Sequence, residues 1–186
     1  MLLDKRKASL FIKIAAIILV LTFVMWFVAD VVTAPGGFRG LFREMFPSPV
    51  QERRDEITQL EEALRADPQN LEILISLGNN YYDIGKFEQA VKYYSKALDI
   101  DPKNVDVRVD MGSSYFSLKQ YDTALEAFKT ATEINPNHVN AWYNMGVVYK
   151  AKGDVAGTRL AWERYLALNP KGADADRVRV ELSRLK

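Results

Sequence analysis

Chemistry at neutral pH needs a nucleophile, a base or a set of metal ligands, and this chain of 186 residues offers few of them. His138 is the single histidine and there is no cysteine. A thiolate nucleophile, a disulfide, a thiolate zinc site and a metal held by paired histidines are therefore excluded. There is no histidine to serve as general base beside a serine, and no glycine-rich loop of the kind that cradles a phosphate. His138 lies in a turn, where a solvated or capping role is expected of it. The acidic pair Glu61-Glu62 reads as part of a solvated helix face. No catalytic residue, metal site or cofactor is expected, and the chain does not read as an enzyme.

The elements that carry these residues are periodic. Leu71 to Pro102 reads LEILISLGNNYYDIGKFEQAVKYYSKALDIDP; the pattern returns from Val105 to Pro136 and again from Val139 to Pro170. Pro68, Pro102, Pro136 and Pro170 are thirty-four residues apart, as are Gly78, Gly112 and Gly146, and Tyr81, Tyr115 and Tyr149. A fixed period of this size predicts a solenoid of helix–turn–helix units. Tyrosines at helical spacing are core residues first.

The run Leu74, Leu77-Gly78, Tyr81, Gly85, Ala90, Tyr94, Ala97 and Pro102 resembles the tetratricopeptide repeat position for position. The second copy matches through Met111-Gly112, Tyr115, Ala124, Phe128, Ala131 and Pro136, the third through Trp142, Met145-Gly146, Tyr149, Gly153, Trp162 and Pro170. The fold expected is all-α: a half-repeat at Gln51–Ala66, repeats over 71–104, 105–138 and 139–172, and a capping helix within 173–186. In this reading 51–186 forms one domain. The cap carries Val178, Leu182 and Leu185 on one side and charges on the other, as the end of a repeat stack requires.

Gly within a helix costs about 0.5–1 kcal/mol relative to Ala, so Gly78, Gly112 and Gly146 need a packing reason. Close approach of the paired helix supplies one, with Ala90 and Ala97, then Ala124 and Ala131, expected opposite them. Each Asp/Asn-Pro step should end a second helix, because the residue before proline is pushed out of the helical region. Two departures stand out. Lys119 replaces the turn glycine of the other copies, which predicts a less tight turn there. Gly157-Thr158 replaces a larger residue followed by Ala, which predicts a weaker last second helix.

In the tetratricopeptide family the first helices line a concave groove that takes an extended peptide or a helix. The resemblance places Glu72, Ile75, Asn79 and Tyr82, then Asp106, Val109, Ser113 and Phe116, then Asn140, Tyr143, Val147 and Lys150 on that groove. Asn79 suits a ligand backbone, and Tyr82, Phe116 and Tyr143 are aromatic anchors of the kind that dominate binding energies. Some of these residues can instead contact a neighbouring repeat or the cap. Chaperone-binding members grip a carboxylate with lysine and arginine. At the matching places this chain has Ile75, Asp110, Asn140 and Asn144, with only Asn79 agreeing, so such a clamp is not expected.

The first fifty residues differ in character. They hold six of the 25 Lys/Arg and three of the 24 Asp/Glu, leaving 19 against 21 beyond them, a balance near −2 that argues against nucleic acid as the partner. Leu10 to Val32 is interrupted only by Lys13 and Asp30, and at about 1.5 Å per residue it is long enough to span a hydrocarbon core of roughly 30 Å. A transmembrane signal-anchor helix within 1–33 is therefore expected. The best cleavage-like site, Val32-Thr33-Ala34, is followed by Pro35, which favours an uncleaved anchor. Lys5, Arg6, Lys7 and Lys13 outweigh Arg39 and Arg43, which predicts a cytoplasmic N-terminus in a bacterial inner membrane with the repeats on the far, periplasmic side.

The linker 34–50 holds Phe38, Leu41, Phe42, Met45 and Phe46 at the spacing of one apolar helix face. That face suits the membrane interface, packing on the next helix, or an integral membrane complex. The reading is thus a membrane-anchored interaction module that recruits a protein or peptide client through the concave groove. An anchor followed by such repeats resembles the repeat part of cytochrome c maturation machinery and ancillary subunits of secretion channels. The alternatives are a structural subunit assembling through convex faces, and a cytosol-facing receptor.

Overall fold

The computed structural model describes residues 17–29 and 48–185. Among them are nine helices and no strand. The chain divides into two units, Met1–Glu52 and Arg53–Lys186.

In the first unit residues 17–29 form a helix, α1, whose side chains are all exposed. No helix among the described residues is long and apolar enough to cross a membrane. This overturns the expected single-pass inner-membrane placement, with its cytoplasmic N-terminus and periplasmic repeats. The apolar run read from sequence counted residues on both sides of α1, and those lie outside the described residues. So do Phe38, Leu41, Phe42, Met45 and Phe46, expected on an interfacial helix. The next helix, α2 (Pro49–Ala66), opens with proline at its first position, where a missing N–H is harmless, and Ser48 Oγ accepts from the Gln51 N–H at 3.2 Å.

In the second unit three helix pairs follow: α3 (Leu71–Asp83) with α4 (Phe87–Ile100), α5 (Val105–Ser117) with α6 (Tyr121–Ile134), and α7 (Val139–Lys152) with α8 (Val155–Leu168). A last helix, α9 (Ala175–Arg184), packs on α8. The first helix of each pair is capped at the same register. Asn70 and Asn104 accept through Oδ1 from the Ile73 and Val107 N–H groups at 3.1 Å, and His138 accepts through Nδ1 from Ala141 N–H at 3.2 Å. The capping role expected of His138 is what it performs. Its other nitrogen, Nε2, lies 2.8 Å from Asp106 Oδ1, tying the third pair to the second. Each second helix ends where expected, with Asp101, Asn135 and Asn169 leaving helical geometry before their prolines.

The close approach predicted at the glycines is present, but what fills it is an aromatic ring rather than an alanine. A Cβ on Gly112 would lie 2.7 Å from the Phe128 ring; on Gly78 it would be closer still to Tyr94, and on Gly146 to Trp162. Ala90, Ala97, Ala124 and Ala131 are buried beside these contacts and let the second helices come near. Lys119 does not loosen its turn. It adopts a left-handed φ of 61°, beside 74° and 75° at Gly85 and Gly153, so the turn keeps its shape and the lysine carries the strain. Thr158 is fully buried, and its hydroxyl donates to the Asp154 carbonyl at 2.6 Å. Helix α8 has the same 14 residues as α4 and α6.

Glu62 is exposed as expected, but Glu61 is half-buried. It accepts from the hydroxyls of Tyr81 (2.7 Å) and Tyr93 (3.0 Å), whose rings stack at 5.4 Å, and so ties α2 to both helices of the first pair. Burial, then the bond to Glu61, pushes the Tyr93 phenol up to about 12, and the same causes raise Tyr81.

Successive first helices α3, α5 and α7 touch one another, whereas α4, α6 and α8 do not. The stack of pairs therefore curves with its first helices on the inside.

Candidate functional site

Two clefts adjoin on the inner face, and they share Tyr82 and Ser113. The larger, about 400 Å³, is lined by Asn79, Tyr82 and Asp83 of α3, Tyr94 of α4, and Asp110 and Ser113 of α5. The smaller, about 250 Å³, is lined by Tyr82, Ser113, Phe116, Phe128, Tyr143, Asn144, Val147 and Val148. Successive turns of α3, α5 and α7 present these side chains because the capped helices start in register, so positions thirty-four apart face the same way.

Six of the twelve groove residues expected from sequence, namely Asn79, Tyr82, Ser113, Phe116, Tyr143 and Val147, come together on these clefts. The others do not. Val109 is only 4 % exposed and belongs to the core of the second pair, and Ile75 packs against the core of the first. Glu72, Asp106 and Asn140 are exposed outside both clefts. Lys150 is drawn to the last helix, where its Nζ donates to Glu181 at 2.6 Å, and the bond to Lys150 holds the Glu181 carboxyl below its ordinary range. Tyr143 keeps its ring on the smaller cleft, although its hydroxyl accepts from Arg177 of α9, which also lies over the ring at 5.7 Å. Tyr82 is braced edge-on by Phe87 at 5.4 Å, and Phe116 by Tyr121 at 5.6 Å, so both anchors are held before any ligand arrives.

Tyr94 was not read as a groove residue, and Asp110 was named only as standing at a clamp position without a cation. The Asp110 carboxylate is half-buried and makes no hydrogen bond or ion pair among the described residues. Burial, then the nearby Asp106, pushes it up to about 6, partly offset by His138. Tyr94 fills the space over Gly78, and its hydroxyl reaches the cleft and donates to Asn79 Oδ1 at 2.8 Å. The signal for Asp110 was its register, one turn after Asp106 on the same helix. For Tyr94 there was none, because a core tyrosine and a cleft tyrosine look alike in sequence. Among the described residues no group of three or more His, Asp or Glu side chains is placed to hold a metal ion.

The repeat family described as TPR repeat matches residues 78–117 and 112–153. No curated protein matches the chain. Among solved structures, the crystal structure of MamA is 25% identical with a TM-score of 0.63, covering 72% of this chain and 81% of that one. YrrB, described as a TPR protein with an unusual peptide-binding site, shares the fold at 23% identity and a TM-score of 0.65, over 69% of this chain and 66% of its own. The first TPR of Spaghetti (RPAP3), solved bound to the HSP90 peptide SRMEEVD, is 28% identical with a TM-score of 0.59, over 62% of this chain and 94% of its own. Period, caps, ring-on-glycine packing and these likenesses agree: residues 78–153 of this chain carry tetratricopeptide repeats.

Proposed function

We propose that this chain is a protein–protein interaction module whose inner groove takes a peptide segment of a client protein. The observation that carries this is the pair of adjoining clefts sharing Tyr82 and Ser113, with aromatic side chains braced at Tyr82 and Phe116. Preorganised aromatics lose little entropy on binding and make good anchors. The organisation we infer is a half-repeat at α2, three repeats in α3–α8, and α9 as the cap. A peptide-bound neighbour of 28% identity supports a peptide as the kind of ligand. Its acidic peptide is not a fit here, since Ile75, Asp110, Asn140 and Asn144 supply no cation for a carboxylate.

Photo-crosslinking tests the reading. A photoreactive residue at Tyr82, Phe116 or Tyr143 should capture a distinct client, whereas one at Leu160, an exposed apolar residue on the second helix α8, should not. Capture from Leu160 alone would transfer the function to assembly through the outer helices.

A further inference from the structure

The two clefts differ in chemistry. In the larger one two hydroxyl oxygens, those of Tyr94 and Ser113, are acceptors whose own protons are used elsewhere, while Tyr82 keeps its own O–H. The Tyr94 hydroxyl donates to Asn79 Oδ1 at 2.8 Å and the Ser113 hydroxyl to the Val109 carbonyl at 2.9 Å, so both turn lone pairs outward. Ser113 Oγ also accepts from Asn144 Nδ2 at 3.3 Å. Asp83 is met at 3.4 Å by Arg53, a mostly exposed pair. Asp110 has no partner among the described residues. A carboxylate withdrawn from water without a cation is unfavourable, and an arriving cation relieves that penalty. The smaller cleft is apolar by contrast, walled by Tyr82, Phe116, Tyr143 and Val147.

We propose that the groove selects a peptide segment presenting a basic side chain to Asp110 in the larger cleft and a neighbouring apolar side chain to Phe116 and Tyr143 in the smaller one. Lysine and arginine are donor-only groups, three N–H on the one and five on the other, and they bring the positive charge that Asp110 and Asp83 call for, which an amide or hydroxyl ligand lacks and a carboxylate opposes. A bare metal ion fits less well, because no three ligating side chains converge among the described residues. Asn79 supplies a donor, its amide nitrogen, and that group is left for a peptide carbonyl. The recognition is thus the reverse of a carboxylate clamp: the groove brings the anion and the client brings the cation. It rests on the groove reading above and specifies the partner's chemistry.

The test is a display selection of random peptides against the full chain, followed by titration of the selected peptides, synthesised with blocked ends. Arginine or lysine should be enriched next to an aromatic or aliphatic residue. Asp110→Asn should weaken these peptides about tenfold, the worth of one charge-assisted bond. Citrulline in place of the arginine should cost the same factor against the unmodified chain and little against D110N. Because Asp110 has no bond to lose, D110N should keep its helical circular dichroism, which separates a binding effect from unfolding. Selected peptides that lose binding with Phe116→Ala yet show no basic preference and ignore D110N would overturn this inference and leave the groove reading in place. Peptides indifferent to Tyr82→Ala, Phe116→Ala and Tyr143→Ala alike would overturn both.

Discussion

The indole of Trp162 occupies the space that a Cβ on Gly146 would need, and the same relationship holds for Tyr94 with Gly78 and Phe128 with Gly112. Each pair brings a first helix and its second helix together around one ring. Gly146→Ala improves local helix propensity by about 0.5–1 kcal/mol but forces a buried ring to move, and overpacking of this kind costs about 1–3 kcal/mol. A net loss of stability is expected at all three glycines, smallest at Gly112, where the clearance is greatest. Urea melts of the three variants check the order, and Phe128→Leu should restore most of what Gly112→Ala loses.

Lys119 holds a left-handed φ of 61° in a turn where the other pairs use glycine. For a residue with a Cβ this conformation costs about 1–2 kcal/mol, part of which glycine returns as unfolded-state entropy. Lys119→Gly should therefore raise stability by about 1 kcal/mol, and Gly85→Ala and Gly153→Ala should lower it by a similar amount. Thermal melts read the sign directly. Nothing lies within 4 Å of a Cβ at Gly85 or Gly153, so any loss there comes from the backbone and not from a clash.

Asp110 makes stability depend on pH in an identifiable window. Its folded carboxyl is pushed up from the ordinary 3.8 to about 6, by burial first and by Asp106 second, with His138 acting the other way. Asp83, Tyr82 and Tyr94 complete the ionisable groups around it. The folded state binds this proton more tightly than the unfolded chain does, so the group's contribution is fully present below pH ~4 and is lost as pH rises through ~6. Asp110→Asn should flatten that window and leave the protein about 1 kcal/mol more stable at pH 7, a figure already reduced for the water that reaches the group. Urea midpoints of both proteins between pH 4 and pH 7 check it.

The period made most of the fold legible. Leu71, Val105 and Val139 start their helices where the repeat placed them, because capping residues and prolines recur with the same spacing as the apolar positions. What the repeat hid were departures whose physics is not local. The partner of each glycine is a ring from the facing helix, and spacing alone could not choose between that ring and the alanines beside it. Lys119 is a poor residue for its backbone, so no propensity rule would place it there. Asp110 and Glu61 sit on helices whose pattern reads as polar, yet the packing of other helices half-buries both. In the first unit, thirteen residues of the apolar run, 17–29, are described as helix.

The carboxylate of Glu61 has a consequence for how the chain can be divided. A single oxygen, Oε1, takes the hydroxyls of both Tyr81 and Tyr93. Sequence similarity to the repeat family begins at residue 78, which invites a fragment starting near residue 70. Such a fragment would strip two stacked phenols of their shared acceptor and uncover the side of α3 and α4 on which Ile57, Leu60 and Leu64 pack. The smallest piece that keeps its own surface closed begins before α2, so that helix is a lid on the stack and not a tether leading to it.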